Sequence, residues 1–205
     1  MTETFEYPED REARNAARAQ ALEALLIEKG VITSQTVDNI LEFFETKMGP
    51  FNGARLVARA WVDPAFKTRL VANTPAAIAE LDFPDGMAGA EGEHMRAVAN
   101  APDVHNLIIC TLCSCYPWPV LGLPPYWYKD PTFRARAART PRAVLQEFGL
   151  NVAPEKEIKV WDSSAQIRWF VIPERPAGSE KLTEAELAAL VTPEAMMGVA
   201  VVQAP

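Results

Sequence analysis

All three cysteines of the chain lie within residues 110–115, which have the sequence CTLCSC and which we call the cysteine motif. The thiols are Cys110, Cys113 and Cys115, and the chain has no other sulfhydryl with which they could pair. Soft thiolate ligands at such short spacing are typical of a metal site rather than of core packing. The spacing Cys-x-x-Cys-x-Cys therefore predicts that this motif binds one metal ion.

Two familiar metal sites fit this spacing poorly. A structural zinc site needs four ligands, and only His94 and His105 could complete the set. His105 precedes Cys110 by five residues, on the other side of a predicted strand, so a Cys₃His zinc site would be strained. An iron–sulfur cluster normally takes four cysteines, and the fourth is absent. Both sites remain alternatives at this stage.

The motif can coordinate a single octahedral ion through unstrained chelate rings. The sulfur of Cys115 and its own amide nitrogen close a five-membered chelate ring, and the amide nitrogens of Ser114 and Cys115 close another. The sulfur of Cys113 and the nitrogen of Ser114 close a six-membered ring. These four atoms form a planar N₂S₂ set, Cys110 supplies an axial sulfur, and the sixth position stays open, as catalysis requires.

The electronic demands of this ligand set are specific. Deprotonating two amides is costly, so the set favours a strongly acidic trivalent ion such as low-spin Co(III) or Fe(III) over zinc. Three thiolates and two amidates leave about two excess negative charges, which cationic neighbours must balance. Arginine would suit this role best because its guanidinium binds oxygen acceptors two at a time. The thiolates are also candidates for oxidation to sulfenate and sulfinate, which would raise the Lewis acidity of the metal.

Composition excludes several classes of protein. The chain has 205 residues, of which 49% are hydrophobic and 23% charged, as expected for one ordinary globular unit with an attached arm. A net charge of −7 argues against nucleic acid or an anionic membrane as the main partner. The N-terminus resembles no signal peptide, no segment has the roughly 20 apolar residues of a membrane helix, and the three clustered cysteines form no disulfide framework. A cytoplasmic location is expected.

The elements around the motif predict an α+β fold: an N-terminal helical arm, residues 1–50, followed by a layered α/β catalytic domain, residues 51–205, with the motif in a loop after a short strand. Amphipathic helices are predicted from Glu9 to Lys29, from Thr33 or Ser34 to about Gly49, and over residues 53–81. The last has a break at Asp63-Pro64 and a new cap at Thr74. The arm either joins the chain's own core or packs on another subunit.

The remaining elements are predicted from local patterns. The apolar run of residues 106–109 reads as a buried strand that leads into the motif, and the proline-rich residues 116–128 exclude regular helix. Residues 158–161 and 167–171 predict a hairpin, and residues 198–202 a last strand. A basic segment follows the proline-rich one, and its arginines either pair on the surface or line an anionic site: Arg134, Arg136, Arg139 and Arg142.

The motif and its surroundings resemble the α subunit of nitrile hydratase. The resemblance rests on CTLCSC followed by YPWPVLGLPP at residues 116–125, and extends through residues 127–129, 160–162 and 173–178. In that family the three cysteines and the amide nitrogens of the last two motif residues bind the metal. Thr111 resembles the cobalt enzymes, which commonly have threonine where iron enzymes have serine.

The resemblance also implies roles for individual residues. Cys113 would carry a sulfinate, Cys115 a sulfenate that attacks the nitrile or activates water, and Cys110 would stay a thiolate. Ser114 would hydrogen-bond near the site, and Trp118 would line the substrate pocket. Glu91 stands where the family usually has a supporting glutamine, which adds a carboxylate near an anionic site.

The implied reaction is the hydration of a nitrile to an amide at one Co(III) or Fe(III) ion per chain. The implied partners are a β subunit, in an αβ heterodimer that is often doubled to α₂β₂, and an activator that loads the metal. The β subunit would supply the balancing arginines, since Lys129 is the only basic residue within eighteen positions after the motif. Two alternatives remain: the cobalt-bearing subunit of thiocyanate hydrolase, and a non-catalytic module that stores or delivers metal.

Overall fold

The computed structural model describes residues 8–46, 49–81, 83, 94–110 and 115–204. Their chain divides into two compact units, one ending at Phe43 and one beginning at Phe44. No helix among the described residues is long and apolar enough to cross a membrane. The docking of residues 1–50 on a partner and the cytoplasmic location stay predictions.

The N-terminal unit contains the two predicted helices. Helix α1 runs over Pro8–Glu28 and helix α2 over Ser34–Thr46, the latter extending past the boundary at Phe43. Both begin and end within a few residues of the predicted positions, because Gly30 ends the first pattern and the Thr33-Ser34 pair precedes the second.

Three helices open the second unit: α3 (Pro50–Val62), α4 (Pro64–Ala72) and α5 (Thr74–Ile78). The break at Asp63 is confirmed, since its carboxylate accepts the Phe66 amide at 2.9 Å and so caps α4. The prediction that Thr74 caps α5 is wrong. Asn73 is the cap, and the Thr74 hydroxyl instead donates to Leu70 O at 2.8 Å and accepts the Ala97 amide at 2.8 Å.

Four short strands form two parallel pairs. They are β1 (Met95–Ala99), β2 (Val104–Cys110), β3 (Glu157–Ser163) and β4 (Arg168–Ile172). Strand β1 pairs with β4, and β2 pairs with β3. The predicted strand before the motif is therefore confirmed. The predicted hairpin is wrong: Ser164 and Ile167 do hydrogen-bond to each other across a turn, but the strands on either side join different pairs.

Short helices and turns make up the rest of the described unit. A single helical turn and a 3-10 turn interrupt the proline-rich segment, so proline limits the helices there to one turn rather than excluding them. The final strand predicted at residues 198–202 is absent, because Gly198 is left-handed at φ 86° and ends the last helix. The elements are α6 (Trp118–Leu121), the 3-10 turn (Tyr126–Lys129), α7 (Pro131–Arg139), α8 (Pro141–Glu147), α9 (Glu184–Leu190) and α10 (Pro193–Met197).

The core of the second unit lies around β2 and α3. Six of the seven residues of β2 are buried, and α3 packs against both α6 and α9. Helix α10 packs against β2 and β4. This mixture of helices with short parallel strands confirms the predicted α+β class, and it places the end of β2, where the motif begins, in the core.

Candidate metal centre

Cys110 is the last residue of β2 and its side chain is 8% exposed. Its register partner on β3 is Ser163, which is 1% exposed. Paired residues of neighbouring parallel strands point to the same face and lie about 4.8 Å apart. A buried serine hydroxyl therefore stands beside the first thiol of the motif.

Cys115 is fully buried and is disulfide-bonded to Cys110, with the two Cα atoms 6.3 Å apart. The sequence predicted free thiols here, so this bond is a difference from the prediction. The bond places the sulfurs of Cys110 and Cys115, five positions apart in the chain, at one point. Two sulfurs that bind one ion must converge in the same way.

The donor chemistry of the motif fits a soft or borderline metal ion. Thiolates bind such ions in place of a disulfide once the cysteines are reduced. Among the described residues, no three His, Cys, Asp or Glu side chains form a group that could hold a metal. Cys113 and Ser114, the other predicted ligands, lie outside those residues, so the complete ligand set stays a prediction.

Helix α3 holds the segment that follows the motif. The side-chain amide of Asn52 donates to Pro119 O at 3.3 Å. At Gly53 the absence of a side chain lets α3 approach α6: an added Cβ would lie 2.3 Å from Val120 O. The Asn-Gly pair of α3 thus fixes α6 by a hydrogen bond and by close backbone contact.

Aromatic rings pack directly behind the motif. Tyr116 follows Cys115, is fully buried, and contacts the edge of Tyr128 at a centroid distance of 5.1 Å. Burial raises the pKa of both phenols well above the usual value, so both stay neutral. Trp118 is half-buried at the start of α6, with its ring 6.4 Å from that of Tyr116. The predicted pocket residue therefore belongs to a rigid aromatic cluster.

Two cations of this chain lie near the aromatic cluster and the end of β2. The ammonium of Lys129 sits 5.7 Å from the ring centroid of Trp118. Arg168, which is 8% exposed, begins β4 immediately before Trp169, whose amide donates to Ser163 Oγ at 3.0 Å. Burial lowers the pKa of Arg168. Sequence proximity to the motif had indicated Lys129 alone, because Arg168 is more than fifty positions away.

The arginines of the basic segment after the 3-10 turn mostly form ion pairs and hydrogen bonds at the surface of this unit. Arg134 pairs with Asp162, and Arg136 pairs with Glu147. Arg142 donates to the carbonyl groups of a loop before β3, including Val152 O at 2.7 Å. These contacts favour the surface-pairing alternative over a cationic wall.

The structure contradicts the alternative of a Cys₃His zinc site. His105 is 3% exposed, and its Nε2 lies 2.7 Å from Gly198 O, so this nitrogen donates to the carbonyl. Five residues of strand separate it from Cys110 by about 16 Å and place it on the opposite face. His105 therefore anchors the end of α10 instead of binding a metal with the cysteines.

Comparison with known proteins agrees with this geometry. The profile of the family described as nitrile hydratase, alpha chain, matches residues 13–200. The chain belongs to the nitrile hydratase α-chain family. Members of this family are subunits of hydro-lyases.

The names of relatives of this chain indicate which metal other members of the family carry. The chain is 52% identical over 190 residues to the low-molecular-weight cobalt-containing nitrile hydratase subunit alpha of Rhodococcus rhodochrous, covering 93% of this chain and 90% of the relative. A mutant Fe-type nitrile hydratase from Comamonas testosteroni Ni1 matches with a TM-score of 0.77 and 40% identity, covering 94% of this chain and 92% of that one. The fold thus serves both metals.

Thiocyanate hydrolase contains a more distant relative of this chain. Its gamma subunit from Thiobacillus thioparus is 38% identical over 188 residues, covering 88% of this chain and 77% of the relative. The nitrile hydratase α-chain interpretation is therefore favoured over the thiocyanate hydrolase alternative.

The predicted site residues have different outcomes. Cys110 and Cys115 are buried and bonded to each other, and Trp118 is half-buried nearby in the chain; their roles in a metal site stay predictions. Glu91, Cys113 and Ser114 lie outside the described residues. Ser163 and Arg168 were missed because they are remote in sequence, although the strand that ends in Ser163 was itself predicted. Tyr128 lies in the proline-rich segment, but no local pattern indicated that its hydroxyl would face Ser163.

Proposed function

We propose that this chain is the metal-bearing α subunit of a nitrile hydratase, which hydrates nitriles to amides. The observation that carries the proposal is the convergence of Cys110 and Cys115 at the buried end of β2, in a member of this family. The proposed ion is one Co(III) per chain, bound by Cys110, Cys113 and Cys115 and by the amide nitrogens of Ser114 and Cys115, with Fe(III) as the alternative. The names of the cobalt-containing relatives support cobalt.

The chain's own residues would divide the chemistry between them. When bound, the trivalent ion supplies Lewis acidity that polarises the nitrile carbon. The Cys115 sulfenate attacks that carbon or activates the attacking water, and the Ser114 hydroxyl donates a hydrogen bond nearby. Net addition of one water, with its oxygen on carbon and its protons reaching nitrogen, gives the amide. Trp118 forms an apolar wall for the nitrile side chain.

A second subunit is part of the proposal. Relatives of this chain are named as alpha subunits, which implies a β subunit, and the proposed assembly is an αβ heterodimer or its α₂β₂ dimer. The excess negative charge of the ligand set needs arginines, and the β subunit would provide those that this chain does not. A metal-loading activator would act before the final assembly.

The complex of this chain with its β subunit tests the metal centre. Elemental analysis should find about one cobalt or iron per chain. The mass of the peptide containing residues 110–115 should show two oxygens on Cys113 and one on Cys115. The same complex produced in zinc-containing medium without cobalt or iron is the control. Zinc with unmodified cysteines in the cobalt-grown complex would contradict the proposal.

Substrate identity needs a second assay on the same complex. Turnover of an aliphatic nitrile with little turnover of thiocyanate is expected. The reverse preference would assign the chain to the thiocyanate-hydrolysing branch, and a metal-loaded complex that turns over neither would favour a storage or delivery module.

A further inference from the structure

Tyr128 interacts with a neighbour of each end of the cysteine motif. Its ring packs edge-on against Tyr116, the residue after Cys115, with the centroids 5.1 Å apart. Its hydroxyl lies within interaction range of Ser163, the register partner of Cys110. The 3-10 turn that carries Tyr128 also packs against β2. One fully buried side chain therefore connects the strand before the motif with the segment after it.

The Tyr128 hydroxyl is in a costly position for a mere packing residue. It is buried from solvent and forms no hydrogen bond of normal geometry with the described residues. A buried hydroxyl that meets its neighbour Ser163 only in poor hydrogen-bond geometry is destabilising, and phenylalanine would fill the same space without that cost. The position therefore suits a hydroxyl that is used when the site is in its working state.

Ser163 can link the Tyr128 hydroxyl to Cys110 through hydrogen bonds. Its Oγ accepts the Trp169 amide at 3.0 Å and can accept a second bond, from the Tyr128 hydroxyl. Its own proton then remains a donor, and the side chains of Ser163 and Cys110 point to the same face of the strand pair. A serine hydroxyl in this position is a natural donor to a neighbouring buried thiolate.

We propose that Tyr128 and Ser163 are positioning residues that act in series, with the Tyr128 hydroxyl orienting the Ser163 hydroxyl so that it donates to the metal-bound sulfur of Cys110. The donated bond would stabilise the Cys110 thiolate and reduce its electron donation to a bound metal. Such outer contacts commonly change metal affinity by roughly tenfold or more. The inference rests on the proposed function, because it requires a metal-bound Cys110.

The variant Tyr128→Phe tests the hydroxyl alone, in the complex with the β subunit. The matched control is Tyr116→Phe, because Tyr116 is equally buried and retains its ring contact, but its hydroxyl donates to Leu121 O at 3.4 Å. The readouts are the energy of the thiolate-to-metal charge-transfer band and the rate at which a chelator removes the metal. We expect Tyr128→Phe to shift the band and to lose metal roughly tenfold faster, and Tyr116→Phe to behave like the native complex.

A second pair of variants tests the same proposal independently. Ser163→Ala should shift the band in the same direction as Tyr128→Phe, and the double variant should show no further shift, since the two hydroxyls act in series. Ser179→Ala is the control, because Ser179 is also fully buried but its hydroxyl donates to Pro176 O at 2.6 Å. If Tyr128→Phe fails to assemble, the Ser163 and Ser179 pair decides.

The outcomes separate the two proposals. A native band and native metal retention in Tyr128→Phe or Ser163→Ala would overturn the inference and leave the proposed function intact. Equal changes in the Tyr116→Phe control would also overturn it, since they would reflect loosened packing. A native complex without trivalent metal would instead overturn the proposed function.

Discussion

At the scale of single residues, the environment of each side chain determines what it can contribute to the site. Cys110 and Cys115 are buried and meet each other, whereas a cysteine on the surface would be exposed to solvent oxidants. Trp118 is only half-buried, which leaves part of its ring available to a substrate. The contact between Trp118 and Lys129 was not predictable from sequence, because eleven residues and a turn separate them.

Lys129 is expected to affect substrate binding through Trp118. A cation over an exposed aromatic ring contributes about 0.5–1 kcal/mol, so Lys129→Met should loosen Trp118 and raise KM for an aromatic nitrile by about two- to fivefold. Lys129→Arg is the matched control and should retain the native KM, because it keeps a cation at this position. Steady-state kinetics of both complexes check the prediction, and equal KM values for the two variants would contradict it.

At the scale of elements, β2 has buried polar groups near both of its ends. Cys110 and Ser163 are paired at its carboxyl end, and His105 lies near its start. The backbone of Gly198 lies close to β2 where its carbonyl accepts the His105 hydrogen bond. A Cβ at this left-handed glycine would lie 2.0 Å from Asn106 O. The end of α10 is thus fixed to the strand that leads into the motif.

This contact predicts a dependence of stability on pH. Burial is the largest influence on His105 and lowers its pKa below 6.5; Lys156 lowers it further, while the Gly198 carbonyl and Glu174 raise it. The folded state therefore favours neutral His105. Its contribution to stability is fully present above pH 6.5 and is lost as pH falls from there to the lowered pKa, at up to about 1.4 kcal/mol per pH unit.

Thermal unfolding of the purified complex between pH 7.5 and pH 5 checks this dependence. The variant His105→Gln, which keeps a donor for Gly198 O, should show a shallower fall in melting temperature over the acidic range. His94→Gln is the control, because the side chain of His94 lies outside the core. Identical pH profiles for native protein and His105→Gln would refute the prediction.

At the scale of the whole molecule, the two units differ in the solvent exposure of their apolar side chains. The second unit buries most of its large apolar residues in one core. The N-terminal unit exposes several leucine, isoleucine and valine side chains by 37% to 66%: Leu22, Leu25, Ile27, Val31, Ile40 and Leu41. Exposed apolar residues at this density are typical of a surface that another chain covers, which supports an arm that packs on the β subunit.

A charge placed on this surface should weaken the complex. Leu25→Glu would put a carboxylate against the apolar face of a partner, and we expect the dissociation constant for the β subunit to rise at least tenfold, or about 1.4 kcal/mol. Gln20→Glu, on the same helix, adds the same charge at an exposed polar position and is the control. Sedimentation over a dilution series measures both, and equal effects of the two changes would argue against apolar docking of the arm.

The sequence by itself determined the helices and the motif. Helix boundaries at Gly30 and Asp63 follow from local signals, as does the strand that ends in Cys110, because a cap or an apolar run acts over a few residues. The chelate rings predicted for residues 113–115 are equally local, since they would involve atoms adjacent in the chain.

Only the tertiary structure decided which distant residues surround the motif. Local patterns of β3 and β4 predicted a hairpin, but each strand gains more burial by pairing with β1 or β2 in the core. That parallel pairing places Ser163 beside Cys110, and the packing of the 3-10 turn places Tyr128 beside Ser163. Parallel pairing joins segments more than fifty residues apart, so no local spacing in the sequence can encode these neighbours.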